Sequence, residues 1–292
     1  MLTWRASVTQ MAPTNQLAYI ETPPPTGDPV KSLSEFLTAS GTWHDKTARK
    51  NRGMLSDLWY RGVNGHYARQ APGVYREKFS ERAKHLQVGG GIERKRLYLE
   101  RYMISQFRTA GAPFLAGYTI TQIYFAAQHY GLPTRLLDWS TNPLAALFFA
   151  CCGDSAEQGY VYAMDAGKII PEPAEGWKGD KLYQTVMTMR NKHVESAIGL
   201  SFWDEPSEQR RPFVLPVRPD DSPGRIAQQS SCFTLHMHEA PSASNPTMIT
   251  IAIDASRKEN IRQELHRVNI NQFTTYYDLG HLSKEIVRSW GC

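Results

Sequence analysis

The 292-residue sequence lacks several features that would assign it to a familiar class of protein. Its four cysteines include the adjacent pair Cys151 and Cys152, and their spacing suits neither a disulfide framework nor a zinc site. No apolar run is long enough to cross a bilayer, and the opening MLTWRASVTQMAP has no apolar secretory core. We therefore expect a soluble, cytoplasmic protein with no membrane partner and no bound metal.

The sequence also lacks the usual phosphate-binding patterns and any large charge excess. Gly89, Gly90 and Gly91 have neither the spacing of a dinucleotide fingerprint nor the lysine of a phosphate loop. The net charge is +5, and basic residues gather at 44–52, 76–84 and 93–96. Each stretch alone is typical of a solvated helix face, whereas the three together favour RNA or DNA as a partner of this basic N-terminal third.

Hydrophobic periodicity predicts an α+β protein with one large domain. Residues 1–27 are expected to form a weakly ordered N-terminal arm, and residues 28–292 a single domain. Asp28 and Pro29 are expected to begin a helix that buries residues through Leu37, and 93–107 to form a basic helix with Leu99 facing inward. Ser256 with Glu259 predicts a capping box. Strands are expected at 58–62, 160–164, 212–217, 226–236 and 248–254.

The most informative segment is 127–152, which places a dense polar run between two apolar helices. One helix is expected from Thr119 to Tyr130, and the other begins at Asn142 with Pro143 in its first turn. Between them lie His129, Thr134, Arg135, Asp138, Trp139, Ser140 and Thr141. So many hydrogen-bonding groups need partners among themselves or a ligand. We therefore expect a functional site here.

Two local patterns belong together in this sequence. The first is Tyr60-Arg61-Gly62 after Trp59, and the second is the run QHYGLPTRLLDWS from Gln128 to Ser140. This pairing resembles the FRG domain family, named for its Phe/Tyr-Arg-Gly motif. The resemblance spans roughly residues 55–240. It continues at Asn142, Pro143, Ala146, Phe148, Phe149 and Ala150, and again at Arg225, Ile226, Gln228 and Phe233.

The order of these patterns is also similar to the ADP-ribosyltransferase fold, whose core is a split, mostly antiparallel β structure, here with an N-terminal helical region. The resemblance implies NAD as co-substrate, bound by Tyr60, Arg61, Gly62, Ser140 and Thr141. Arg61 would reach the phosphates and ribose as a bidentate cation. The Gly62 backbone would lie flat against the nicotinamide amide, where a side chain would block approach.

The sequence departs from this family where a catalytic glutamate is expected. The predicted strand 226–236 carries Gln228 and Gln229, of which only one can face a cleft, and Gln228 is our choice. A glutamine adds no charge to stabilise an oxocarbenium-like sugar. Asp138 is the nearest carboxylate that could replace it, with Glu239 as a second, and His129 could act as a base.

Structural alternatives exist for most of these residues. Arg61 could pair with Asp57 on the surface, and His129 could face the helix dipole. Arg135 and Asp138 could form an internal ion pair, which we favour for that pair. Ser140 could cap the following helix, although Asn142 already fills that position.

Two functions follow from the resemblance. The first is an NAD-dependent ADP-ribosyltransferase that modifies a macromolecule, such as a nucleic acid, as a bacterial toxin or in phage defence, with an antitoxin protein as a further partner. Its catalytic residues would be Arg61, His129, Asp138, Ser140 and Gln228. The alternative is a non-catalytic module that binds a nucleotide or a nucleic acid as a sensor.

Overall fold

The computed structural model describes residues 20–50, 57–65, 69–153, 156–168, 213–219, 230–237, 248–276 and 278–290. The strands are β1 Ile20–Glu21, β2 Leu58–Asn64, β3 Arg69–Gln70, β4 Leu136–Ser140, β5 Gly159–Asp165, β6 Phe213–Val217, β7 Ser231–Met237 and β8 Met248–Ile253. The helices are α1 Leu33–Lys50, α2 Glu77–Lys84, α3 Ile92–Ala110, α4 Ile120–His129, α5 Pro143–Cys151, α6 Lys258–Arg267, α7 Gln272–Tyr276 and α8 Leu279–Ser289.

One sheet of six strands organises the fold. Its order is β6-β7-β4-β2-β5-β8, and every neighbouring pair is antiparallel. The short strands β1 and β3 form a separate antiparallel pair. The predicted α+β class and the antiparallel core are confirmed.

Both faces of the sheet are buried, which explains why its strands read as nearly continuous apolar runs. On one face, Trp59, Leu137 and Tyr162 pack in a cluster that β1 covers with Ile20. On the other face, helices α5 and α6 pack against the alternate residues of β2, β5 and β8. Side chains of a strand point alternately to the two faces, so β2, β5 and β8 each contribute to both clusters.

The two helices in the middle of the chain begin where predicted, and α4 has in addition a capping box that was not predicted. The Thr119 hydroxyl accepts a hydrogen bond from the amide of Gln122, and the Gln122 side chain accepts one from the amide of Thr119. This capping box begins α4. The Asn142 side chain accepts the amides of Leu144 and Ala145 and begins α5, with Pro143 at its first position.

Two predicted helix starts are wrong. Helix α1 begins at Leu33, where Ser32 accepts the amide of Glu35, because Val30 instead bridges to the sheet. Leu37, expected to be buried, is 47% exposed.

The helix that was expected to begin with a box of Ser256 and Glu259 is preceded by a short 3-10 turn. Asp254 caps that turn by accepting the amide of Ser256. The side-chain cap is therefore the carboxylate of Asp254, which lies before the helix, and not the predicted hydroxyl of Ser256.

The predicted arm falls into two parts. Residues 1–19 lie outside the described residues, whereas Ile20 is buried and pairs with Gln70, and Pro25 bridges to Thr250. No helix in the described ranges is both long and apolar enough to span a membrane.

Candidate functional site

The site lies where two neighbouring strands part. Strand β2 pairs with β5 along its whole length, but it shares with β4 only the registered pair of Tyr60 and Ser140. A cleft of about 290 Å³ opens there, and its described lining includes Tyr60, Arg61, Gly62, His129, Asp138 and Ser140. The two motifs singled out in the sequence therefore meet at one site.

Arg61 reaches across the gap from β2 to β4. Its Nε donates to Gln70 Oε1 at 3.0 Å, and its Nη1 donates to the carbonyl of Asp138 at 2.9 Å. Burial lowers the pKa of Arg61 and the charge of Asp138 opposes that shift, so the guanidinium remains a cation fixed in the cleft wall. The alternative pairing with Asp57 is wrong, because Asp57 pairs with Arg218.

A chain of hydrogen bonds orients Asp138. The amide of Leu136 donates to Thr134 Oγ1 at 3.0 Å, the Thr134 hydroxyl donates to Gln128 Oε1 at 2.6 Å, and Gln128 Nε2 donates to Asp138 Oδ2 at 2.9 Å. Because the Gln128 oxygen is engaged by the buried hydroxyl, its NH₂ group must point at the carboxylate. We did not predict Gln128 as a site residue, although its place at the start of the polar run was a usable signal.

Asp138 is the described carboxylate that opens into the cleft. Its side chain is exposed at the cleft, and partial desolvation by the cleft walls raises the pKa of its carboxyl, against the opposing effects of the Arg61 charge and the Gln128 hydrogen bond. A carboxyl group with a raised pKa in a cleft is a candidate for proton transfer or for stabilising a developing charge.

Arg135 belongs to the core and not to the cleft. Its Nε donates to Glu100 Oε2 at 2.8 Å, and its amide donates to Glu100 Oε1 at 2.9 Å. Tyr124 donates to the same carboxylate. The expected ion pair of Arg135 with Asp138 is therefore wrong, because Arg135 turns inward to α3 while Asp138 faces the cleft.

Ser140 faces the cleft but does not cap α5, because Asn142 is the N-cap of that helix, and the expected contact of Ser140 with a ligand stays a prediction. It lines the cleft, and its Oγ accepts the amide of Asn142 at 3.0 Å in the turn before α5. Thr141 lies outside the described lining and bonds through its amide to the carbonyl of Ser230 at 3.0 Å. The expected contact of Thr141 with a cofactor is therefore not favoured by its position.

His129 lies both at the end of a helix and in the cleft. It occupies the last turn of α4, near the negative end of the helix dipole, and lines the cleft. Its ring lies edge-on to that of Tyr130, with centroids 5.4 Å apart. Within the described ranges, no three His, Cys, Asp or Glu side chains are grouped to hold a metal ion.

Gly62 is required by packing. A Cβ atom placed on it would lie 1.7 Å from the carbonyl oxygen of Ala146 and 2.8 Å from the amide nitrogen of Ala150. Helix α5 therefore rests directly on the backbone of β2. Gly62 also lines the cleft, and its expected contact with nicotinamide stays a prediction.

An aromatic wall completes the cleft. Phe149 and Tyr276 both line it, with ring centroids 5.6 Å apart and nearly perpendicular planes. Tyr276 stacks in turn on His281, with centroids 4.1 Å apart. Sequence reasoning missed Tyr276, because it lies in α7, far from both motifs, and nothing local marks it.

Gln228, which we predicted at the position of the expected catalytic glutamate, lies outside the described residues, as do Gln229 and Glu239. The role of Gln228 thus stays a prediction. The described strand nearest to it is β7, whose Ser231 pairs with Ser140 and lines the cleft.

The basic helix α3 is less exposed than its sequence indicates. Arg96 is 3% exposed and lies among protein groups, with Nε donating to Ser80 Oγ at 3.1 Å and its guanidinium 5.7 Å from the Tyr75 ring centroid. Arg94 is exposed, and Lys95 bonds to the carbonyl of Lys84 at 3.1 Å. Arg96 must therefore be removed from the predicted nucleic-acid surface.

A comparison with protein-family models matches residues 56–159. The chain contains an FRG domain. The match covers the stretch from β2 to the start of β5, so it includes both motifs that meet in the cleft, and it ends well before the expected limit near residue 240. The aromatic wall at Tyr276 and the Ser231 edge lie outside this FRG match. Comparisons with curated proteins and with solved structures give no match.

Proposed function

We propose that the cleft binds NAD and that the protein transfers ADP-ribose from it to a macromolecule. The observation that carries this proposal is that Arg61, Asp138 and Ser140 line one cleft. Arg61 and Asp138 belong to different motifs and are 77 residues apart in the sequence. Under this proposal the fold is a variant of the ADP-ribosyltransferase core, with its split between β2 and β4.

The chemistry needs three kinds of group. When nicotinamide leaves, positive charge develops on the sugar, and a nearby carboxylate stabilises it. Asp138 supplies that carboxylate. Arg61 supplies a cation for phosphate oxygens, and the rings of Phe149 and Tyr276 supply an aromatic surface against which the leaving base can pack.

The proposed role of Asp138 requires its ionised form. Because the pKa of its carboxyl is raised by enclosure, activity should fall on acidification at a higher pH than an ordinary aspartate would give. The hydrogen bond from Gln128 holds the carboxylate in one orientation, which makes Gln128 a positioning residue.

The acceptor in this proposal is a nucleic acid, contacted by the exposed basic residues of α2 and the start of α3. The biological setting is that of a toxin or of phage defence, with an antitoxin protein as the partner that restrains it. These parts of the proposal come from the family resemblance and from the charge of the N-terminal third.

The test is incubation with labelled NAD and, separately, with total protein, RNA and DNA. The wild-type protein should label one of these fractions and release nicotinamide. Asp138→Asn should lose at least about a hundredfold in rate while NAD affinity changes by only a few fold, since the carboxylate acts on the transition state. Asp45→Asn, an exposed residue of α1, is the matched control and should keep full activity. Full activity in Asp138→Asn would exclude the assignment.

The alternative is a non-catalytic module that binds a nucleotide. It is favoured by the absence of a glutamate from the described cleft lining. Saturable NAD binding with no nicotinamide release in any of the three mixtures would support this alternative.

A further inference from the structure

Arg61, which lines the cleft, and Arg76, which lies outside its described lining, are hydrogen-bonded to two consecutive residues. The Nε of Arg61 donates to the side chain of Gln70 at 3.0 Å, and the Nε of Arg76 donates to the carbonyl of Ala71 at 3.2 Å. Gln70 and Ala71 are consecutive residues, so the two guanidinium groups are tied to neighbouring points of one short segment. The charge of Arg76 also acts on the cleft, because it lowers the pKa of Asp138, which desolvation raises.

Arg61 and Arg76 differ from four other arginines of the described chain that pair with carboxylates. Neither Arg61 nor Arg76 forms a salt bridge with a described carboxylate, and Arg61 donates only to an amide oxygen and a carbonyl. The paired arginines are Arg96 with Glu93, Arg135 with Glu100, Arg218 with Asp57 and Arg262 with Glu259.

Burial lowers the pKa of Arg61, the charge of Asp138 opposes that shift and the charge of Arg76 adds to it, so two cations act here against one described carboxylate, and a further anion would be stabilised. Arg76 is exposed, and its terminal nitrogens make no hydrogen bond within the described ranges. The planar donor fork of a guanidinium matches the oxygens of a phosphate group, and two such forks can share one phosphate. The ligand chemistry that fits the pair is therefore a phosphate or diphosphate.

We propose that Arg61 and Arg76 together bind a phosphate group of the ligand at the edge of the cleft. Arg76 belongs to neither of the two motifs, so this adds a binding residue to the site. That this phosphate belongs to NAD rests on the proposed function. The cleft of about 290 Å³ is at the lower limit of ligand pockets, so a dinucleotide would extend beyond it, toward Arg76.

The experiment is calorimetric titration of the full chain with inorganic pyrophosphate. Arg76→Gln should weaken pyrophosphate binding about tenfold, the effect of losing one hydrogen bond to a charged group. The matched control is Arg267→Gln, which removes the same charge from an exposed position of α6 and should bind pyrophosphate as the wild type does. Circular dichroism should show all three proteins folded, because neither exposed arginine supports the core.

NAD turnover by the same three proteins separates this inference from the proposed function. If pyrophosphate binding depends on Arg76 while the wild type consumes no NAD, the phosphate site is supported and the transferase proposal fails. If the wild type consumes NAD while Arg76→Gln keeps both its pyrophosphate affinity and its KM for NAD, the transferase proposal stands and the phosphate site is overturned. A wild-type protein that binds no pyrophosphate also overturns the phosphate site.

Discussion

Acidification should destabilise this protein through His236. This residue lies in β7 and is fully buried, with Nε2 3.0 Å from Thr234 Oγ1 and with Nδ1 lacking a hydrogen-bond partner within the described ranges. Burial, and then the positive charge of Arg61, lower the pKa of His236 from 6.5 to about 3. The folded chain therefore keeps this imidazole neutral at a pH where the unfolded chain protonates it.

The effect on stability has a definite direction and window. Below a pH of about 6.5 the unfolded chain takes up a proton at His236, and the folded chain does not do so until about pH 3. The free energy of unfolding should therefore fall across this window and be unaffected by His236 above it. From the two pKa values, the free energy of unfolding should fall by about 2.5 kcal/mol between roughly pH 7 and roughly pH 4.5.

Urea denaturation of the wild type and of His236→Gln at these two pH values measures the effect. Glutamine can still bond to Thr234 but takes up no proton, so the variant should lose about 2.5 kcal/mol less than the wild type on acidification. His85→Gln, at the exposed end of α2, is the control and should follow the wild type. Equal acid losses in the wild type and in His236→Gln would refute the reasoning.

Two further predictions concern packing, and urea denaturation measures both. Glu100→Gln should lower the free energy of unfolding by about 3 to 5 kcal/mol, because Arg135 becomes an uncompensated buried cation, whereas Glu81→Gln in an exposed pair should cost less than about 1 kcal/mol. Similar losses in both variants would contradict this. Gly62→Ala should cost about 3 kcal/mol or more by pushing α5 off β2, whereas Gly41→Ala, with open space around it in α1, should be neutral or stabilising. A Gly62→Ala protein as stable as the wild type would contradict the packing role.

The elements from α4 to α5 could be predicted because several local signals agree there. Thr119 and Asn142 are good N-caps, Pro143 suits a first helical position, and each is followed by an apolar run. At α1 and α6 the signals competed. Asp28 and Pro29 also look like a helix start, but the sheet takes Val30 first, which a local pattern cannot reveal.

The ion pairs could not be predicted in the same way, because they depend on which faces of distant elements meet. Arg135 and Asp138 are three residues apart on an extended segment, so their side chains point to opposite faces. The partner of Arg135 is Glu100, 35 residues earlier on α3. The aromatic wall at Tyr276 depends likewise on how α7 packs against α5, which no local pattern contains.

The polar run after α4 therefore consists of two sets of residues with different tasks. Thr134 and Arg135 are buried and hold the run to the core, whereas Gln128, Asp138 and Ser140 face the cleft. A buried polar group must be paired, so part of the polar excess that pointed to a site is structural. Loss of activity in an Arg135 variant would consequently say nothing about catalysis, because the core would be damaged first. Only substitutions on the cleft side, made in protein that remains folded, can identify the chemistry.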